Sequence, residues 1–535
     1  MENTITQLIM TAKSRYDYLS SDRSQFLNEA SDASKLTLPY LIRGHEDYSK
    51  GMKQLPTPWQ SVGAKGVVTL ASKLSLSLLP PQTSFFKLQV DESQLGQDFG
   101  PEVKSELDLS FAKIERTMLE AIAASDDRVV IHQALQHLVV GGNALIYMGK
   151  QGLKLYPLNR FVVERDGNGQ VIEIVTKERI NKKLIEKYLP EDYEEDETSA
   201  VDSDQSTGGD KECDVYTHVI RDNNRFIWHQ EVYGKLLKGS EGKSPVDSTP
   251  WLPLRFNTVD GEAYGRGRVG QFIGDLKSLE ALSQALVEGS AAAAKVVFVV
   301  SPSSTTKPAT LARAGNGAIV QGRPDDIGVV QVGKTADFRT AYELMGQLER
   351  RLSEAFLIMN VRQSERTTAE EVRMTQMELE QQLGGLFGLL TTEFLVPYLN
   401  RKLKVFQSTG EIPKIPKNLV KPTIVAGINA LGRGQDRESL GQFLQTIAQT
   451  MGPEAIIQYI NPEEVVKRLA AAQGIDVLNL VKSVQEVQQE KQQAMEQQQQ
   501  LEQTKALPNM MKAPMMDPSK SPAAAEAVGA EPPTE

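Results

Sequence analysis

The stretch 364-SERTTAEEVR-373 lies between two helical patterns, and the organisation of the chain follows outward from it. Before it, Phe338, Ala341, Tyr342, Met345, Leu348, Leu352, Ala355 and Phe356 recur at the three- and four-residue steps of one helix face. After it, Val372, Leu379, Leu383, Leu386, Leu390 and Phe394 do the same. The restart carries its own signal: Thr368 can accept from the amide of Glu371 while Glu371 reaches back, a capping box that satisfies two orphan donors. Between the helices, Met359, Asn360, Val361, Arg362, Gln363, Ser364, Glu365 and Arg366 are as a run too polar to be core. A surface turn is the plain alternative to a functional loop.

Upstream, Val269, Phe272, Ile273, Leu276, Leu279, Leu282 and Leu286 form another helix face that runs into the small residues Ala291 to Ala294. The period then changes, and 296-VVFVVSP-302, 318-AIVQG-322 and 329-VVQVG-333 read as short strands broken by Gly and Pro. The order is helix, small β unit, helix, with the β unit at the end of a helical pair. Downstream, Gly384, Gly385 and Gly388 each cost about 1 kcal/mol relative to Ala in a helix, which predicts a bend there. Pro397 and 412-IPKIPKNLVKP-422 are expected to end the segment.

Residues 1 to 150 read as mostly helical, over 14 to 41, 61 to 80, 102 to 125 and 127-DRVVIHQALQHLVVGGNALIYM-148. From 153 to 180, β-rich runs flank the turn Asp166-Gly167-Asn168-Gly169, a hairpin signal. A second β group follows at 215-VYTHVIRDNNRFIWHQEVYGKLL-237, closing an α+β module near residue 262. Helical patterns return at 436 to 451, 462 to 474 and 476 to 503, and the Pro-, Ala- and Met-rich residues from about 506 lack an apolar face and are expected to be disordered. The fold class expected is α+β, mainly α-helical.

The chain has 535 residues with 40% apolar and 24% charged side chains, the composition of a soluble globular protein large enough for about three or four domains. Its formal charge is -10, but residues 190 to 214 hold 11 acids against one Lys, so the remainder is neutral. That acidic stretch reads as a solvated loop without fixed structure. A neutral body argues against tight binding of nucleic acid, though not against letting it slide. The single cysteine, Cys213, forms no internal disulfide, and its acidic neighbours would raise the thiol pKa. No signal-peptide core is seen at the N-terminus and no run reaches the roughly 18 apolar residues of a membrane span, so a cytosolic protein without a membrane partner is expected.

No catalytic constellation emerges. The run 265-GRGRVG-270 fits the spacing of a dinucleotide fingerprint, but polar residues 257 to 264 precede it and no βαβ unit follows, which favours a helix start with tight packing. GxxxxGK[ST], GxSxG and HExxH motifs are absent. His132 and His137, five apart, do not share a helix face, and the adjacent Glu370 and Glu371 point to different faces. No cofactor or metal is expected.

Three longer segments are more specific: 251 to 302 with 262-EAYGRG-267, 366 to 401 opening on 366-RTTAEE-371, and 422-PTIVAGINALGRGQD-436. Together they resemble the portal proteins, or head-to-tail connectors, of short-tailed phages, in the same order from about residue 10 to 480. The acidic loop and the Gln-rich end depart from the pattern. The resemblance implies a non-enzymatic ring of about twelve subunits at one capsid vertex, the conduit for double-stranded DNA in packaging and ejection. The partners it implies are the terminase large subunit, tail adaptor and nozzle proteins, capsid and scaffolding proteins, and internal core proteins, with assembly into the virion after synthesis in the host cytoplasm.

Portal anatomy then maps as wing (1 to 265), stem helix (266 to 295), clip (296 to 336), returning stem helix (337 to 357), channel loop (358 to 367), long bent helix and wing return (368 to 433), helical crown (434 to 505) and tail (506 to 535). Arg362, Gln363 and Arg366 would face DNA from the channel loop, with pairing to Glu370 an alternative task for Arg366. Lys307, Arg313, Arg323 and Lys334 would rim the clip interface. A channel with few basic residues suits a moving duplex, because each phosphate neutralised adds affinity that would hold it. Two other classes stay open: an enzyme whose site no linear motif reveals, and an oligomeric scaffold built on 476 to 503, where no sustained heptad is seen.

Overall fold

Apolar residues at helical spacing select the first elements. Helix α1 (Ala12–Leu36) is N-capped by Thr11, whose Oγ1 accepts from the Ser14 amide at 3.3 Å, and it buries Tyr16, Leu19, Leu27, Ala30 and Ala33 on one face. Helix α2 (Val62–Leu78) buries Gly63, Gly66, Val67, Leu70, Leu74 and Leu78. Strand β1 (Phe86–Val90), not foreseen from the sequence, and helix α3 (Pro101–Ala124) follow. Helix α4 (Asp127–Gly141) packs against both α1 and α2. These described segments belong to a computed structural model covering residues 10–43, 54–80, 85–90, 101–189, 212–293, 297–358 with gaps at 304–306, 316–317, 324, 326 and 331–334, then 383, 385–413, 420–424, 443–450 and 465.

The helix expected to run to residue 148 stops at 141. Gly142 takes φ +74° and returns its amide to the Leu138 carbonyl at 2.9 Å, a left-handed C-cap. The chain then reverses into strand β2 (Asn143–Gly149), paired with β3 (Gly152–Tyr156). The hairpin about residues 166 to 169 forms as expected, joining β4 (Phe161–Arg165) and β5 (Val171–Asn181), with the Gly169 amide donating to the Asp166 carbonyl at 2.8 Å. Strands β6 (Glu212–Asp222), β7 (Arg225–Val232), β8 (Lys235–Leu236) and β9 (Gly242–Pro245) complete a six-stranded antiparallel sheet of order β4-β5-β6-β7-β8, with β9 also on β7. Strand β10 (Trp251–Arg255) pairs with the other side of β2.

The acidic stretch is shorter than expected at its C-terminal end. Glu212, Cys213 and Asp214 already belong to β6, where Asp214 pairs with Lys177 and Arg179 of β5 at 3.1 and 3.2 Å. Residues 190 to 211 lie outside the described residues, as does everything from 466 onward. The first half of α1 lies across the sheet, with Tyr16 and Leu19 against Val162, Val175 and Tyr216.

Beyond β10, a single turn α5 (Arg268–Gln271) leads into α6 (Ile273–Ala293), strand β11 (Val297–Val300), the short helix α7 (Pro308–Arg313), strand β12 (Ile327–Val330) and helix α8 (Thr335–Ala355). Strands β11 and β12 pair antiparallel, while 318 to 322, expected as a strand, is not one. Tyr342, expected on the packed face of α8, is 67% exposed.

The chain is helical again over 385–390, passes through a π-turn at Thr391–Leu395 and continues as α9 (Val396–Thr409). Pro397 therefore does not end the helix. It stands in the first turn after the π-turn, where the Val396 amide bonds back five residues to the Thr391 carbonyl. The helix stops instead at Gly410, φ +83°. Strand β13 (Val420–Ile424) then pairs with β1, Pro422 facing Leu88. All of this lies in a unit spanning Met1–Ala430. In the second unit, Leu431–Glu535, a helix covers 443–450 and leaves Phe443 exposed. The fold is mixed α and β, as expected; the expected crown helices from 451 lie outside the described residues, residue 465 excepted.

Candidate functional site: a helical pair carrying an uncovered β unit

Helices α6 and α8 lie antiparallel. Arg351 pairs with Asp275, Ser283 Oγ donates to Met345 Sδ at 3.7 Å, and a Cβ on Gly289 would stand 2.7 Å from the Phe338 ring, so that ring rests against α6 where the glycine leaves room. Leu348, Leu352 and Phe356 of the second helix join Leu276 and Leu279 of the first in the main core.

Towards the β unit this burial ends. From residue 284 to 347 no described residue is buried, and Val287, Val299, Ile319, Tyr342 and Leu344 are exposed. Ordering a residue costs about 1–2 kcal/mol, which burial must offset, and a two-stranded β unit is marginal on its own in water. Lys307 stands at the N-cap of α7, Arg313 in its last turn and Arg323 ahead of β12, all three exposed. Lys334 lies outside the described residues. So do Arg362, Gln363 and Arg366, together with the Thr368 and Glu371 capping box.

The opposite end of the pair is firmly held. Helix α8 closes with the Leu357 amide on the Glu354 carbonyl at 3.0 Å and the Ile358 amide on the Ser353 carbonyl at 2.7 Å, a Schellman cap. Leu357 occupies the left-handed position at φ +55°. The Ala355 carbonyl accepts from Arg268 Nε and Nη2 at 3.3 and 3.1 Å, and the Leu357 carbonyl accepts from Lys73 Nζ at 2.7 Å. Phe356 is fully buried, so close to α2 that a Cβ on Gly66 would lie 2.6 Å from its ring. No linear signal in the sequence joins Lys73 to residue 357.

The helix that follows is tied in by buried charge. Glu393, on the π-turn, accepts from Arg255 Nε and Nη2 at 2.9 and 2.6 Å, from the Arg255 amide at 3.0 Å and from Arg165 Nη1 at 3.4 Å. Burial pushes the Arg165 guanidinium down to about 10, against the pull of Glu393. One turn on, the buried Asp127 accepts from Tyr398 Oη and Lys402 Nζ, each at 2.6 Å, and burial with Asp127 holds the Tyr398 phenol well above its ordinary range.

The residues weighed for chemistry take structural places. The run 265-GRGRVG-270 abuts the cap of α4: a Cβ on Gly267 would lie 2.5 Å from the Val140 carbonyl oxygen, one on Gly265 2.7 Å from that of Gly142. Asn143 exchanges two 2.7 Å hydrogen bonds with Gly265. That is the helix start with tight packing. Burial pushes the Cys213 thiol up to about 11, with Asp214 adding to it. His137 is buried, which lowers it to about 4, and His132 contacts Gln136 instead. Among the described residues no cluster of three or more His, Cys, Asp or Glu is placed to hold a metal ion, and no helix is long and apolar enough to cross a membrane.

The chain is 36% identical over 537 residues to the portal protein of Escherichia phage T7, covering 97% of each chain. It is 37% identical over 491 residues to the portal protein of Enterobacteria phage T3, covering 89% of each, and 30% identical over 492 residues to that of Enterobacteria phage SP6, covering 89% of this chain and 91% of the relative. The profile of the family described as bacteriophage head to tail connecting protein matches residues 10–480, and the chain belongs to that family.

Proposed function

We propose that the chain is a portal subunit, assembling with further copies of itself into a ring of about twelve at one capsid vertex and passing double-stranded DNA through the central channel. The observation that carries the ring is the segment 284 to 347, in which no described residue is buried and Val287, Val299, Tyr342 and Leu344 are exposed. Copies placed side by side would cover them, strand to strand and stem to stem. In this arrangement residues 1 to 265 form the wing, 266 to 295 and 337 to 357 the stem, 296 to 336 the clip, and 358 to 367 the loop facing DNA through Arg362, Gln363 and Arg366. The clip, rimmed by Lys307, Arg313, Arg323 and Lys334, is the docking end for the terminase motor and later for tail proteins. Contact is to phosphates, which position without specifying sequence, so passage is independent of sequence.

The mass of the purified chain in solution tests the ring: about twelve copies of a 59.0 kDa chain give a particle on the order of 700 kDa. A monomer or dimer at every salt concentration sinks the proposal. Arg362→Ala then tests the loop, with ring assembly and melting unchanged within about 0.5 kcal/mol and weaker retention of packaged DNA. Disruption of the ring by this variant would make Arg362 a packing residue instead.

A further inference from the structure

We propose that Lys73 and Arg268 are positioning residues that clamp the end of helix α8 and so fix the direction in which the chain leaves it towards residue 359. The proposal rests, for its bearing on DNA, on the conduit reading above; the clamp itself stands on geometry alone.

A helix C-terminus presents carbonyls with no partner in the helix, together with the negative end of its dipole. Here one of those carbonyls, that of Ala355, and the carbonyl of Leu357 just past the helix are met by cations from two different elements: Arg268 at the start of α5, and Lys73 in α2. Arg268 is itself held in place, stacked 5.0 Å over the Phe272 ring and donating to Gln271 Oε1 at 3.1 Å. Phe272 in turn lies 6.1 Å from Phe356. Phe356 is pinned into the surface of α2 by the missing side chain of Gly66.

Between these two cationic contacts stands Leu357 at φ +55°, a conformation that leucine adopts rarely and glycine or asparagine readily. Gly would fill a mere turn. Leucine is there with its side chain 7% exposed, in contact with the main core. The residue thus combines an unfavourable backbone with a buried side chain, and the backbone conformation persists because neighbours on both sides over-determine it. Lys73 donates to the carbonyl of the strained residue itself. Release of that bond would leave the peptide after Leu357 held only through the Ile358 amide on the Ser353 carbonyl, loosening the exit of the chain beyond it while leaving Phe356 and the helical pair seated.

In a conduit, axial drag on the segment beyond residue 358 pulls on this point, and a clamp there transmits the load into α2 and α5 rather than unwinding α8. Lys73 and Arg268 are therefore expected to matter for how the loop is held, and little for whether the subunit folds.

The test measures the heading directly. Spin labels are placed on the full chain by Arg350→Cys, exposed on α8, and Ser364→Cys, beyond the clamp. Labelled chains are diluted into unlabelled ones so that distances within one subunit are read; Cys213, buried with its thiol pushed up to about 11, competes poorly for the label. In Lys73→Met the distance distribution between the labels should broaden at least twofold, with thermal melting of the chain unchanged within a few degrees. Lys73→Arg, which keeps a donor cation, should restore it. An unchanged distribution in Lys73→Met, or equal broadening in Lys73→Arg, overturns the clamp. Should Lys73→Met fail to fold, Arg268→Gln on the independent element carries the same measurement: broadening supports the clamp and an unchanged distribution overturns it. Retention of packaged DNA is read in parallel with unlabelled chains and should fall severalfold in Lys73→Met. Broadening without any loss of retention would uphold the clamp and overturn the role of residues 358 to 367 as a DNA-facing loop.

Discussion

Gly142→Ala is the substitution to which the fold should be most sensitive. The residue caps α4 at φ +74°, where a Cβ costs about 1 kcal/mol relative to glycine. Space adds more: the new Cβ would stand 2.5 Å from the Gly265 carbonyl oxygen, the Arg266 carbonyl carbon and the Gly267 amide nitrogen, all backbone. Relief requires residues 265 to 267 to retreat by about 1 Å from ordinary contact distance. Retreat breaks the two 2.7 Å bonds between Asn143 and Gly265, at about 1–3 kcal/mol for each buried group left unsatisfied. The sum is about 3–7 kcal/mol, a large part of the 5–15 kcal/mol typical of a domain. Urea melts of unassembled chain, followed by fluorescence of the buried Trp251, measure it. A loss below about 1 kcal/mol would refute the reasoning, since it would show that the contact between 141-GGN-143 and 265-GRG-267 yields freely.

Other outcomes are equally definite. Gly385→Ala, where nothing lies within 4 Å of the added Cβ, should stabilise the unassembled chain by up to about 1 kcal/mol in the same melts; if it instead weakens assembly, a neighbouring copy occupies that space. Glu393→Gln leaves Arg165 and Arg255 without their carboxylate and should cost about 3–5 kcal/mol, read as a lowered urea midpoint. For His137 the folded value lies near 4 against an ordinary 6.5, so the unfolded state takes up the proton first. Stability should therefore fall as pH drops from 6.5 towards 4, by at most about 1.4 kcal/mol per pH unit, and His137→Leu should flatten that slope. Glu173 and Glu231 act lower down: burial raises both carboxyls, but His218 and Arg15 on one and His229 and the Ala12 amide on the other outweigh it and hold them below 4.5. Their contribution is complete above pH 4.5 and lost as pH falls through the lowered values, which early proteolysis at the start of α1 in acid would report.

What could be read in advance follows from how local each signal is. The helical patterns of α1, α2, α6 and α8 and the Asp-Gly-Asn-Gly hairpin are written in nearby residues, and each of these elements forms. Strand β2 was hidden because 144-ALIYM-148 is apolar on both faces, a run whose period cannot separate strand from buried helix; only the glycine pair before it marks the break. Strand β13 was hidden by Pro422, which is tolerated because β1 and β13 form a sheet of two edges. Tyr342 carries the helical period but faces out, in the segment 284 to 347 where no described residue is buried. The groups that hold the end of α8 left no trace at all, since Lys73 meets Leu357 across 284 residues of chain. The charges foreseen at the clip are exposed where described, whereas the loop arginines belong to the reading of the family rather than to anything the fold places.

The π-turn shows why an irregularity can be the most regular solution available. Leu386, Leu390, Phe394 and Tyr398 are all buried, spaced at four residues. In an α-helix each such step advances about 40°, so the stripe would turn through about 120° and carry Tyr398 away from the core. One extra residue in a turn takes back about 100°, leaving a stripe straight to within about 20°. The same insertion brings Glu393 onto the side of Arg165 and Arg255, and it places Pro397, which has no amide to donate, in a turn whose pattern is already displaced. Without the π-turn, either the apolar stripe or the buried carboxylate would have to face water. The helix that leads away from residues 358 to 382 can thus run along one wall of the core from Leu386 to Phe406, straightened by the very turn that breaks its hydrogen-bond pattern.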